Sequence, residues 1–271
     1  MNSRDSTVPS TAMADVQGAY DARRIAIDRV GVKGVRHPIK IAGRAATMQH
    51  TVATIDMVVA LPHDQKGAHM SRFVELLNAQ DTVVSSATMR VQLSEMLKRL
   101  ESSSGSITMR FPYFIKKRAP VTGMASLMDY DVVYYATSDS AGEQMTVSVT
   151  TPVTSLCPCS KEISEYGAHN QRSHITIKAR SRADIDVEDL IAIAEREASS
   201  ELYGVLKRPD EKFVTERAYD NPKFVEDLVR DVAAGLELDS RIEWYSVEVE
   251  NFESIHNHSA FAAIEKTLKR S

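Results

Sequence analysis

At 271 residues, with 43% hydrophobic, 26% charged and 6% aromatic residues, the chain can bury a large core as one big domain or two of ordinary size. A formal net charge of −4 and the lack of a long basic block exclude nucleic acid as a bulk partner but leave room for a local phosphate pocket. No apolar run approaches the roughly 18 residues of a membrane span, and residues 1–20 lack the apolar stretch of a secretory signal; they read as a flexible polar leader on a cytoplasmic protein.

After the leader, IAIDRVGVKGV (25–35) alternates like a strand. QHTVATIDMVVAL (49–61) does so over a longer span, with Thr51, Ala53, Ile55, Met57, Val59 and Leu61 on one side. SRFVELLNA (71–79) and ATMRVQLSEMLKRLES (87–102) have helical spacing; Met89, Leu93, Met96, Leu97 and Leu100 share a face, and SSSG (102–105) ends the second helix. Strands are expected at 107–115 and 127–137, so a first module over 21–140 reads β-β-α-α-β-β. The turn SDSAGE (138–143) opens a second module over 141–271. It has strands at 144–151 and 173–179 and a helix over 186–206 carrying Leu190, Ile191, Ala194, Ala198, Leu202 and Val205. Asn221 and Pro222 are an N-cap and N1 signal for a helix over 222–235. A strand over 242–252 and a terminal helix in SAFAAIEKTLKR (259–270) complete it. The second module, β-β-α-α-β, nearly repeats the first in pattern. Short antiparallel strands bracketing helix pairs define an α+β fold with helices on one face of each sheet, and the open sheet edges imply oligomerisation.

The stretch SLCPCSKEISEYGAHNQRSHITI (155–177) holds the only two cysteines. A Cys157–Cys159 disulfide would close a very small ring stiffened by Pro158, in a compartment that keeps thiols reduced. A thiolate and an imidazole suit a borderline-soft divalent ion. With no CxxC and no HxxxH, a closed four-ligand site runs short of donors. Cysteine, histidine and one carboxylate with an open position form the catalytic pattern; two buried thiols beside a surface histidine are the plainer alternative. His174 sits in an alternating strand and is expected to face solvent. Elsewhere, KRPDEKFVTERAYDNPKFVEDLVRD (207–231) reads as a solvated helix pair whose second member buries Val225, Leu228, Val229, Val232 and Leu236. Glu226 lies about 100° from Val225, at the edge of that stripe, where it can turn into a pocket. His256 and His258 of HNH are either a loop coincidence or acid–base groups near neutral pH. FIKKRAP (114–120) ends a strand with three cations, ordinarily a solvated edge but suited to a phosphate group if it faces a cleft.

Together SLCPCSKEIS, GAHNQRSH, RPDEKFVTERAYDNPKFVEDLVRD, ENFESIHNHSAFA and PYFIKKRAPVTG resemble GTP cyclohydrolase of the IB type, densely over roughly 107–262. The resemblance implies a tunnelling fold of two tandem β-β-α-α-β-β modules, assembled so that sheets join into a barrel, as a homotetramer with sites between subunits. It implies hydrolysis of GTP to 7,8-dihydroneopterin triphosphate and formate, the first step toward folate-type pterins. The family's metal ligands fall on Cys157, His169 and Glu211, and its purine-anchoring carboxylate on Glu226; the metal is zinc or manganese. Cys159 is either a second thiol assisting the site or a packed neighbour, and His256 and His258 are candidates for the proton transfers. Lys116, Lys117, Arg118 and Arg172 are the motif members nearest a triphosphate. The rival readings are an archaeal-type cyclohydrolase giving a cyclic-phosphate product, a thiol-nucleophile reductase of the same fold acting on a nitrile, and a non-catalytic purine- or metal-binding module.

Overall fold

Strict alternation of buried and exposed residues along long strands sets the architecture. The computed structural model describes residues 14–44, 48–79 and 83–269. The first half contains β1 (Ile27–Ala42), β2 (Met48–Leu61), α1 (Met70–Asn78), β3 (Val83–Val84), α2 (Ser86–Arg99), β4 (Gly105–Arg118) and β5 (Ala125–Asp139). The second contains β6 (Gly142–Leu156), α3 (Pro158–Ile163), β7 (Asn170–Ser181), α4 (Val187–Glu197), β8 (Ser200–Glu201), α5 (Arg208–Asp220), α6 (Val225–Glu237), β9 (Ile242–Phe252) and β10 (Ser259–Thr267). The strands form one sheet in the order β10-β9-β7-β6-β5-β4-β2-β1-β3, with β8 added beside β6. Neighbours are antiparallel except for the parallel pair β1–β3. The expected boundary at 140/141 falls in the tight β5–β6 turn, where Gly142 takes φ +109° and the Ala141 N–H bonds Asp139 Oδ1 at 2.8 Å.

One sheet face is apolar and carries the helices. Ile55, Met57, Ile107, Met109, Phe111 and Tyr113 meet Phe73, Leu76 and Leu77 of α1 and Met89, Leu93 and Met96 of α2, as α4 and α6 meet the second half of the sheet. The two halves share a single buried core, each fully buried side chain stabilising by about 1.5–3 kcal/mol. At the start of α2 the Ser85 hydroxyl accepts the Thr88 N–H at 3.2 Å while Thr88 Oγ1 accepts the Ser85 N–H at 2.8 Å, a reciprocal cap. No helix among the described residues is long and apolar enough to cross a membrane.

Several elements depart from the sequence reading. Residues 1–13 of the expected leader lie outside the described residues. Residues 14–20 are anchored: Lys66 N–H bonds Ala19 O and Gly67 N–H bonds Gln17 O, both at 3.0 Å, and the Asp15 carboxylate meets the His69 ring at 3.0 Å. The expected helix over 186–206 stops at Glu197. Its chain turns to extended geometry at Ala198, and Ser200–Glu201 pairs with Thr154 and Val153 of β6. Asn221 and Pro222 do not open α6. Asn221 caps the C-terminus of α5, its side-chain amide donating to Ala198 O at 2.9 Å, and α6 begins after Phe224. The alanine-rich 259–267 is strand β10, where pairing with β9 overrides helix propensity; Ala260, Ala262 and Ile264 face the core and Phe261 faces out. Arg270, at the end of that expected helix, lies outside the described residues. The second half therefore has three main helices after its first strand pair, and it closes with two strands.

Candidate active site

The quoted cysteine loop is built at the end of β6. Cys157 is the N-cap of α3, with Pro158 supplying the fixed φ of the first helical position. Its N–H donates to His169 O at 3.1 Å, which closes the loop 157–169 at its base. Ser160 laces the same base from inside. Its N–H points to Cys157 Sγ at 3.4 Å, its hydroxyl donates to Cys157 O at 3.0 Å, and its Oγ accepts the His169 N–H at 3.1 Å. Cys157 and His169 are thus brought to one rim, while Cys159 points to solvent; both cysteines are free thiols. The His169 ring is held through Nδ1: Gln171 Oε1 lies 2.8 Å away, Ser254 Oγ 3.5 Å and Glu253 Oε2 4.0 Å.

Glu253 and Ser254 begin the β9–β10 loop, so this loop packs beside His169 and carries His256 and His258 with it. Those two rings are exposed and stacked, with centroids 5.2 Å apart. His174 lies with Arg172 on the face of β7 away from the helices but is half-covered, edge-on to Phe252 at 4.9 Å, because β9 runs alongside it.

An open cavity of about 610 Å³ adjoins the rim, lined by Leu156, Gly167, Ala168, Asn170 and, from α5, Thr215 and Tyr219. Glu211 precedes Thr215 by one helical turn, so Glu211, Thr215 and Tyr219 share a face of α5. Among the described residues no three Cys, His, Asp or Glu side chains converge closely enough to hold a metal. Cys157 and His169 meet through their backbones at the loop base; Glu211 lies on the exposed first turn of α5 and does not join them in a three-donor group. Its helix is fixed by the preceding residue. Asp210 is fully buried and its carboxylate accepts N–H groups from Val121, Thr122 and Lys207, each at 2.9 Å, and the Thr122 hydroxyl at 2.7 Å. Burial works to raise its pKa, but these hydrogen bonds, those of Thr122 foremost, outweigh it and hold the carboxyl well below the ordinary aspartate range. Asp210 thereby ties α5 to the turn that follows β4. The first turn of α6 carries Glu226, exposed beside the buried Val225, with Asp227 Oδ2 accepting the Phe224 N–H at 3.0 Å.

The four expected phosphate-binding cations separate by the two-residue period of their strands. Lys116 and Arg118 project on the face away from the helices, as does Arg172 of β7. Lys117 projects the other way and is withdrawn from that set. Its side chain is 9% exposed, its ammonium pairs with Glu195 at 2.9 Å and with Glu201, and it lies over the Tyr203 ring at 4.6 Å. Burial raises the Glu195 pKa further than Lys117 lowers it. For Glu201, burial is outweighed by the hydrogen bond and charge of Lys117, and its pKa falls. A cation already committed to two half-buried carboxylates is not available to a triphosphate.

Sequence reading missed Ser160, Gln171, Asp210 and Glu253. All four lie inside the motif stretches; none carries a spacing signal, because Gln171, Asp210 and Glu253 take partners from other strands or loops and Ser160 acts only once its own loop is closed.

A helix-faced antiparallel sheet of this order, with a polar site at the edge of the second strand pair, defines a tunnelling-fold protein. The structure matches uricase from Arthrobacter globiformis with a TM-score of 0.51 at 8% sequence identity, covering 90% of this chain and 95% of that one, a likeness of fold alone. The family model described as "Type I GTP cyclohydrolase folE2" matches residues 13–262. GTP cyclohydrolase FolE2 of Methylococcus capsulatus is 59% identical over 255 residues, which is 94% of this chain and 95% of its own length. That of Thiobacillus denitrificans is 56% identical over 261 residues, 96% and 97% of the two chains. The chain belongs to the type I GTP cyclohydrolase FolE2 family.

Proposed function

We propose that this chain hydrolyses GTP to 7,8-dihydroneopterin triphosphate and formate, at a site that takes one divalent ion, zinc or manganese, per subunit. The observation that carries this reading, beside family membership, is the closure of the cysteine loop by the Cys157 N–H···His169 O bond. It places a thiol and an imidazole, the donors a borderline-soft divalent ion prefers, at one rim beside a cavity large enough for a purine. These two residues fit such an ion. Glu211, on the cavity-bordering face of α5, is the proposed third ligand. When bound, the ion supplies a water of pKa about 7 as nucleophile for C8 of guanine.

The chain's own groups do the rest. Glu226 accepts N1–H and the 2-amino group of guanine in parallel, a charge-assisted bidentate pair that adenine, with an acceptor at N1, cannot make. His256 and His258, exposed on the loop beside His169, hold and move protons as the imidazole ring opens and formate leaves. Cys159, exposed two residues beyond Cys157, remains the candidate second thiol. Arg172, Lys116 and Arg118 are proposed for the triphosphate.

The active unit is proposed as a homotetramer with sites between subunits. In support, β10 ends one edge of the sheet with Phe261 62% exposed, and Phe213, Tyr219 and Phe224, in α5 and at the start of α6, are about 40% exposed, Tyr219 lining the cavity. A biosynthetic hydrolase of GTP is placed in the cytoplasm. Chelation, readdition of zinc or manganese, and incubation with GTP test the reaction directly: formate release and pterin fluorescence after oxidation are expected. Metal binding without turnover would identify a binding module instead, and a product that keeps a cyclic phosphate would identify the archaeal-type reaction. Sedimentation at assay concentration checks the assembly; an active monomer removes the tetramer.

A further inference from the structure

Behind His169 runs a chain of buried polar groups that no spacing in the sequence announces. His169 Nδ1 lies 2.8 Å from Gln171 Oε1, Gln171 Nε2 donates to Ser155 Oγ at 3.0 Å, and Ser155 Oγ lies 2.7 Å from Ser173 Oγ. Gln171 is 6% exposed, and Ser155 and Ser173 are fully buried. The chain bridges the end of β6 and the start of β7, where Ser155 pairs with Gln171 in register, so its members are fixed by the sheet. Buried polar side chains that serve only packing are replaced at little cost by apolar ones; three in series, ending on one ring nitrogen, are built to orient that ring.

The direction of the hydrogen bonds follows from the surroundings. A neutral imidazole carries its proton on one nitrogen and a lone pair on the other. A lone pair on Nδ1 would face the Glu253 carboxylate at 4.0 Å, whereas an N–H there is attracted by it; the Ser254 hydroxyl at 3.5 Å, donor or acceptor, serves either form. With Nδ1 protonated, only the amide orientation with Oε1 toward the ring makes a hydrogen bond, which leaves Nε2 of Gln171 to donate to Ser155, and the Ser155 hydroxyl proton to pass to Ser173. Every member then has one defined role, and the ring's lone pair is on Nε2.

We propose that Gln171, locked by Ser155 and Ser173, is the positioning residue that holds His169 as the Nδ1–H tautomer and so presents Nε2 to a divalent cation. The inference rests on the reading of His169 as a metal ligand. Loss of such a partner weakens metal binding by about 10–100-fold.

The test separates the two. Nitrogen-15 NMR of the metal-free protein reads the His169 tautomer without any ion present, and chelator competition with zinc reads affinity. In the unaltered protein the ring is expected as Nδ1–H. Gln171→Leu is expected to release the tautomer toward Nε2–H and to weaken zinc by about 10–100-fold. Gln171→Glu, which keeps an acceptor for Nδ1–H and for the Ser155 hydroxyl, restores both. An Nε2–H ring in the unaltered protein overturns the inference, and so does unchanged zinc affinity in a folded Gln171→Leu protein. If Gln171→Leu does not fold, the tautomer of the unaltered protein together with Gln171→Glu decides. Zinc affinity unchanged by His169→Ala removes the metal reading itself, and the inference with it, whatever the tautomer.

Discussion

Helices α2 and α5 have nearly the same length and opposite means of attachment. Helix α2 buries Met89, Leu93 and Met96 against the sheet and is held by the core. Among the residues of α5 only Asp210 and Ala218 are buried. It is held by polar contacts: the Asp210 clamp, the Asn221 amide on Ala198 O and the Lys161 ammonium on Tyr219 O. The helix that carries candidate chemistry is the one without an apolar stripe. Apolar burial is non-directional and fixes a helix wherever surface is removed from water, whereas hydrogen bonds to a buried carboxylate fix one position and leave the outer face free for ligands.

Substitutions can break or sharpen this contrast. The largest effect is expected at the rim that α5 faces. Cys157→Ala and His169→Ala should each abolish turnover and lower bound metal while the circular dichroism of the folded chain persists; full metal content in both variants would sink the ligand assignment. Leu93→Ala should cost about 2–5 kcal/mol of stability by leaving a cavity under α2, measured by denaturant titration. Activity per folded molecule should not change, since α2 touches no part of the site.

Glu226→Ala should cost on the order of 2–4 kcal/mol in kcat/KM for GTP, because polar guanine edges are left unpaired. Metal content should stay normal, whereas Glu211→Ala should lower it. Exchange of those two phenotypes would show the carboxylates reversed. Asp210→Asn should have a smaller global effect than Leu93→Ala, but should speed hydrogen exchange of α5 amides selectively. Its pH signature has a definite sign. The folded pKa lies below the ordinary 3.8, so the stabilisation is complete above that value and is lost as pH falls through the folded pKa. The acid limb of the stability curve should therefore be shallower in Asp210→Asn; an identical limb would assign acid unfolding to other groups. Smallest of all, neutralising Lys116, Arg118 and Arg172 together should raise KM for GTP several-fold with little change in guanosine binding, as exposed charges contribute little singly. Unchanged GTP kinetics would remove these three from the phosphate set.

The contrast also explains what the sequence reveals. Elements that bury a regular apolar face were readable from periodicity: the β2 run Ala53–Leu61, helix α2 and the stripe of α6 all lie close to their expected positions. Elements whose position depends on partners elsewhere were not. Residues 259–267 read as helix from composition and become strand because β9 offers a ladder. Residues 198–206 read as helix and leave it where Ser199 Oγ accepts the Leu156 N–H at 3.1 Å and β8 joins β6. At the site, residue types announce a donor set at Cys157 and His169. Gln171 and Asp210 stayed silent because the groups that fix them include Ser155 and Thr122, 16 and 88 positions away. Lys117 and its neighbours Lys116 and Arg118 look alike in a row of letters; the pleat of β4 alone distinguishes them.

The ladder that joins β5 to β6 runs without a break from Asp131–Thr150 to Asp139–Gly142, across the point where one half of the chain gives way to the other. Two tandem halves linked by a flexible tether could swing apart like the covers of a book. Here the spine is itself a row of hydrogen bonds within a common core, so bending there would unzip sheet and expose apolar surface at once. The two halves respond to load as one stiff plate. Whatever yields to admit and release a bulky nucleotide must be peripheral, as is the loop 157–169 that borders the cavity.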